Sequence, residues 1–112
     1  MKILILEDDT YRVNFFLEKF SEYELIITEN SYTAVDYLEK EIFDYIFLDH
    51  DLGNDNGCGL DVANYLYNNP FNENNKSNII IHSWNVPAAE SMVHKLTQAN
   101  HIPFDVALFS TF

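Results

Sequence analysis

A chain of 112 residues, 47% of them hydrophobic, makes one domain able to bury a core. Its 18 acidic residues against 6 Lys and Arg leave a net charge of −12, which repels a phosphate backbone and excludes long nucleic acid as a partner. No apolar run reaches the roughly 18 residues of a membrane span. The apolar start also stops at Glu7-Asp8-Asp9 instead of leading to a cleavage site, so no anchor or secretory leader is expected.

Strand and helix patterns then alternate. Lys2–Leu6 is an apolar strand ending in acid. A helix from Thr10 to Ser21 carries the stripe Val13, Phe16, Leu17 and Phe20. Glu24–Thr28 is the second strand, and Ser31 is placed to cap a helix running to Lys40. The third strand, Asp44–Leu48, again ends in acid. Gly53, Gly57 and Gly59 mark a flexible connection to a helix from Leu60 to Asn69, stopped by Pro70. The Asn-rich stretch 68–78 is a loop. Asn78–Ile81 is a fourth, central strand, and Asn85 can cap a helix beginning near Pro87. Phe104–Phe109 is read as the fifth strand, with no helix after it. The alternation implies a doubly wound five-stranded parallel sheet of order 2-1-3-4-5, with ligands outside the carboxyl ends of strands 1 and 3.

Polar residues gather at those ends. Strand 1 runs into Glu7-Asp8-Asp9, strand 3 into Asp49-His50-Asp51-Leu52-Gly53, and strand 4 into His82-Ser83-Trp84-Asn85. Arg12 follows Asp8 by four residues and Asp9 by three, which puts it on their helical face. At about 4 Å in an intermediate dielectric, each like-charged pair costs on the order of 4 kcal/mol. A hard cation, Mg²⁺ or Mn²⁺, is the simplest compensation, so Glu7, Asp8 and Asp49 are candidate metal-holding residues. Asp9 can equally be a plain helix cap. His82 and His50 both reach this edge, whereas His94 and His101 lie away from it and are read as structural. Ser83 can donate to a phosphoryl oxygen or close a turn. Asn85 can bind ligand or cap, and Trp84 can pack or wall a ligand. Cys58, the only cysteine, has no activating neighbour; a reducing, cytoplasmic setting suits it.

Lys2–Asp9, Phe43–Asp49 and Ser83 resemble a response-regulator receiver domain over nearly the whole chain. The resemblance implies Mg²⁺ on the strand 1 acids, phosphorylation of Asp49 and a signalling role for Ser83. Receivers also carry a Lys at the end of strand 5, absent from Val106–Phe112, and a fifth helix. Leu48-Asp49-His50-Asp51-Leu52-Gly53 and His82-Ser83-Trp84-Asn85 are similar to the hallmarks of the divergent cyclic-phosphate-processing receiver domains.

The function so implied is a metal-dependent phosphoesterase acting on a cyclic nucleotide or on an RNA end bearing a 2′,3′-cyclic phosphate. Glu7, Asp8 and Asp49 would hold the metal. Arg12 would neutralise charge on phosphorus, and Ser83 and Asn85 would hold phosphate oxygens. His82 would be the general acid, His50 a second candidate, and Asp51 the group orienting a histidine. The alternatives are a signalling receiver phosphorylated on Asp49 and a non-catalytic binder of a phosphorylated nucleotide. With no fifth helix, Tyr11, Phe15, Phe104 and Phe109 would lie partly bare, and a homodimer through that face is expected.

Overall fold

The computed structural model describes residues 1–112. Strands β1 (Lys2–Leu6), β2 (Glu24–Thr28), β3 (Tyr45–Leu48), β4 (Asn78–Ile81) and β5 (Asn100–His101) form one parallel sheet in the order β2-β1-β3-β4-β5. Between them run α1 (Thr10–Lys19), α2 (Ser31–Lys40), α3 (Gly59–Asn68) and α4 (Val86–Lys95). A last turn of helix, α5, spans Val106–Phe109. None of these helices is long and apolar enough to cross a membrane.

The period of two along each strand divides the core. Leu4, Leu6, Ile46, Leu48, Ile79 and Ile81 face α2, α3 and α4. Ile3, Ile5, Phe47 and Ile80 face the other way, onto Phe16 and Phe20 of α1 and onto Phe104 and Phe109. Of the stripe expected on α1, Phe16 and Phe20 are buried, Val13 is half-buried and Leu17 is exposed.

The helix caps follow side-chain chemistry. Asp9 accepts from the Arg12 amide and starts α1. Asn30 caps α2, accepting from the Tyr32 and Thr33 amides. The expected cap, Ser31, is instead the first helical residue, and its buried hydroxyl donates to Asp61. The Asn-rich stretch contains a 3-10 turn at Glu73–Lys76 and folds back on the sheet. Buried Asn74 accepts from the Phe43 amide and donates to the carbonyls of Leu38 and Glu41.

Two expectations are corrected. The glycine connection after β3 is exposed at Gly53 and close-packed at Gly57 and Gly59. Gly57 has a φ of 73°, and a Cβ on it would lie 1.9 Å from Ser31 Oγ. A Cβ on Gly59 would lie 2.0 Å from the Asp49 carbonyl oxygen, so α3 starts hard against the end of β3. Phe104–Phe109 is not the fifth strand. That strand is Asn100–His101, and Asp105 accepts from the Leu108 amide to cap α5. The apolar composition concealed a cap followed by one helical turn, which brings Phe104 and Phe109, five residues apart, onto the same core. A last helix therefore exists, shortened to one turn. Phe104 and Phe109 are buried and Phe15 is half-buried, leaving Tyr11 exposed. Of the face on which the homodimer expectation rested, Phe104 and Phe109 are covered, while Leu17 on α1 and Val106 and Leu108 on α5 join Tyr11 as exposed apolar residues.

Candidate functional site

The site follows from strand register. Leu6, Leu48 and Ile81 are neighbours across β1, β3 and β4, so the next residues, Glu7, Asp49 and His82, emerge side by side. The alternation turns them toward α1, and all three are buried.

Glu7 is the most heavily bonded of them. One carboxylate oxygen, Oε2, accepts from the backbone amides of Asp8 and Asp9, each at 3.0 Å. The other, Oε1, takes His82 Nε2 at 2.8 Å and Arg12 Nη1 at 3.5 Å. Burial opposes its charge, but the His82 hydrogen bond and the remaining donors outweigh it and hold the carboxyl below its ordinary 4.5. His82 is fully buried, edge-on to Phe16, and its Nδ1 has no partner. Burial pushes its pKa below the ordinary 6.5. A neutral ring with the proton on Nε2 donates to Glu7 and leaves only a lone pair bare among the phenylalanines.

Above this layer lies an open cavity of about 500 Å³. Asp8, Asp49, Arg12, Asp51, Ser83 and Asn85 line it. Asp49 is pushed up to about 7, first by burial and next by the charge on Glu7. Arg12 Nη1, 4.0 Å from Asp49 Oδ2, is the one cationic group beside it. The guanidinium stacks 4.7 Å from the Trp84 ring, whose Nε1 donates to the Phe104 carbonyl.

Such a donor set suits a hard cation. Asp8 and Asp49 turn oxygens into a polar cavity, and the raised pKa of Asp49 marks a charge that Arg12 alone does not offset. Glu7, Asp49 and His82 also offer ligand atoms within 4.8 Å of one another. A cation among those three would have to displace the bond between His82 and Glu7, and the Glu7 oxygens are already occupied. A cation in the cavity would instead meet Asp8 and Asp49, which line it, with Glu7 as the buried support beneath them.

The remaining expected residues divide by position. Asp51 lines the cavity and contacts His50 Nδ1 at 3.1 Å. That contact is the main cause of the lowered Asp51 pKa. Asn85 does two jobs at once: its carbonyl oxygen caps α4 at the Ala88 amide, and its amide donates to Asp51 at 3.2 Å. Ser83 Oγ accepts from the Asn85 amide, which leaves its proton free to donate. Neither histidine lines the cavity itself: His82, expected to be the proton donor, is enclosed by Glu7 and the Phe16 ring, whereas His50 adjoins the cavity through Asp51, which does line it. His94 is exposed on α4, while His101 Nε2 contacts the Ser83 carbonyl and steadies that turn. The stack of Arg12 on Trp84 was not foreseen, because residues 72 positions apart give no periodic signal.

Solved structures share this fold. The phosphorylated cyanobacterial phytochrome response regulator RcpA superposes with a TM-score of 0.78 at 15% identity, covering 98% of this chain and 86% of that one. A CheY-like response regulator receiver domain protein from Methanospirillum hungatei gives 0.73 at 17% identity, covering 96% and 86%. A response regulator receiver domain from Rhodospirillum rubrum gives 0.71 at 15%, covering 99% and 87%. No curated protein sequence matches the chain. The model of the cyclic-phosphate processing receiver domain matches residues 3–98. With both polar segments, 48–53 and 82–85, inside that match, the chain belongs to the cyclic-phosphate processing receiver family.

Proposed function

We propose that the chain is a metal-dependent phosphoesterase that opens a cyclic phosphate. The observation that carries this reading is that two carboxylates, Asp8 and Asp49, line one polar cavity together with a fixed guanidinium that stands 4.0 Å from Asp49. A divalent cation on Asp8 and Asp49 would supply a water of lowered pKa and a positive charge for a phosphoryl oxygen. Arg12, the chain's only arginine, receives the charge that grows on phosphorus. Its stacking on Trp84 and its contact with Glu7 limit the freedom it must lose on binding. Ser83 donates its hydroxyl to a second phosphoryl oxygen. Asp51, steadied by Asn85, fixes His50 through Nδ1, and the free Nε2 of His50 is the proton carrier for the leaving oxygen. In this reading His50, which adjoins the cavity through Asp51, is the candidate for the proton transfer, and His82 orients Glu7. Turnover of cyclic nucleotides and cyclic-phosphate-ended RNAs with Mg²⁺ or Mn²⁺ tests the reading. His50→Ala should lower kcat by roughly 10²–10⁴ while changing ligand affinity little.

The receiver reading, phosphorylation of Asp49, lacks its cation. After β5 the chain continues Ile102-Pro103-Phe104, and no lysine lines the cavity. Acetyl phosphate is therefore expected to give no stable adduct by intact mass. A stoichiometric adduct, lost in Asp49→Asn, would favour signalling.

A further inference from the structure

The Arg12–Trp84 stack is a wall with a cavity on each side. One side is the acidic cavity described above. The other is a groove of about 430 Å³ that shares Asp9, Arg12 and Trp84 with it and continues over Tyr11, Phe104 and Val106. The groove is built unlike its neighbour. Phe104 is 5% exposed, while Tyr11 at 67% and Trp84 at 63% stand open to solvent. Asp105 joins the lining, and one of its carboxylate oxygens is spent on the Leu108 amide, which leaves the other free to accept.

We propose that this groove is a base-binding subsite, so that the phosphate handled in the acidic cavity belongs to a nucleoside cyclic monophosphate. The proposal rests on the phosphoesterase reading only for where the phosphate sits. Three observations choose the occupant. The groove is continuous with the phosphate cavity through residues common to both, so a ligand held there by Arg12 extends naturally onto the open Tyr11 ring, with buried Phe104 as the floor beneath. Its apolar surface is aromatic, which suits a flat ring stacked or held edge-on. The polar groups at its rim, Asp9 and Asp105, are acceptors, which suits a base bearing an exocyclic amino group. The surrounding charge sets the size of the ligand. With a net charge of −12 and Arg12 the only basic residue lining either cavity, one phosphate is accommodated and a run of them is repelled. The free mononucleotide is therefore favoured over the end of a longer strand.

Trp84 is the chain's only tryptophan and touches both cavities, so its fluorescence reports binding directly. The full chain in Mg²⁺ would be titrated with adenosine cyclic monophosphates, both the 2′,3′ and the 3′,5′ isomer. The base-free comparison is glycerol cyclic phosphate, and a short RNA ending in a cyclic phosphate forms the third arm. The better adenosine ligand should bind at least about tenfold more tightly than glycerol cyclic phosphate, from one stacked base. Tyr11→Ala should bring that ratio close to one. The RNA should bind more weakly than the mononucleotide, and tighter binding would overturn the assignment to free nucleotides. Equal affinity for the adenosine and glycerol ligands, a ratio that survives Tyr11→Ala, or no binding of either would overturn the subsite. Turnover is scored separately. Base-dependent binding without hydrolysis keeps the subsite and removes the phosphoesterase reading, whereas equal binding and hydrolysis of both ligands does the reverse.

Discussion

Replacing His82 by Ala is expected to destabilise the protein by about 3–5 kcal/mol, because it leaves a buried carboxylate without its main partner. Glu7 would keep its two backbone amides and the more distant Arg12, and a void would open beside Phe16 and Phe47. His82→Gln, which can still donate a proton toward Glu7, should recover part of the loss; Glu7→Gln paired with His82→Ala should recover part of it by removing the charge. The pH dependence has a definite sign. Folding lowers the pKa of both Glu7 and His82, so the unfolded chain binds more protons in acid. Their stabilisation is complete above the ordinary 6.5 of histidine and is lost as pH falls, first through the His82 range and then below 4.5. Urea unfolding between pH 5 and pH 8 measures this. A His82→Ala protein of wild-type stability would contradict the buried pairing. A purely kinetic defect in that variant would return His82 to proton transfer.

Asp49→Asn is expected to act in the opposite direction. In metal-free protein the carboxyl is pushed up from its ordinary 3.8 to about 7, so the folded state binds the extra proton between those values. Stability due to this group is present at low pH and falls as pH rises through about 7. At pH 8, with the charge fully formed, Asp49→Asn should stabilise the metal-free protein by on the order of 2 kcal/mol. That is about half of the full shift at about 1.4 kcal/mol per unit, since repulsion with Glu7 is shared between the two groups. The gain should shrink toward zero near pH 4. Divalent cation should reverse the ranking. At 100 times its dissociation constant it adds about 2.7 kcal/mol to the wild type and little to the variant. Melting curves with chelator, Mg²⁺ and Mn²⁺ at both pH values check each part. A wild type indifferent to these ions, or an Asp49→Asn protein less stable than wild type at pH 8 with chelator present, would contradict this account of Asp49.

The sheet order was legible in the sequence because four short apolar runs end abruptly in polar residues, the first three in acid and the fourth in His82-Ser83. β5 was missed for a physical reason. Asn100–His101 is two residues long, is held by pairing to Ile80 and Ile81, and has no apolar pattern of its own. The run after it looked like a strand because Phe104 and Phe109 are apolar, although the capping of a turn by Asp105 is a signal the sequence does carry. The site was legible to the level of which residues share an edge. Glu7, Asp8, Asp49, Asp51, His82, Ser83 and Asn85 all come to the carboxyl ends of the strands. Depth was not legible. Glu7 and Asp8 are adjacent in sequence, yet one lies beneath the layer of backbone amides and the other lines the cavity. His82 and His50 sit equally close to strand ends, yet one is sealed behind Glu7 and the other rests on Asp51. Strand alternation gives the face to which a strand-end side chain turns, but how deeply it is buried there depends on which helix packs over it, and that is a tertiary property.

In the proposed reaction Asp8, Asp49 and Arg12 open a cyclic phosphate with the help of a divalent cation. Phosphorus NMR of a nucleoside cyclic phosphate incubated with the full chain tests it most directly, since the cyclic and opened phosphates give separate signals. Conversion to the monoester is expected with Mg²⁺ or Mn²⁺, halted by chelator, resumed when metal is restored, and lost in Asp49→Asn and Arg12→Ala while both variants remain folded. A cyclic phosphate signal that stays intact with bound ligand and with either metal, or conversion that persists in Asp49→Asn, would contradict it.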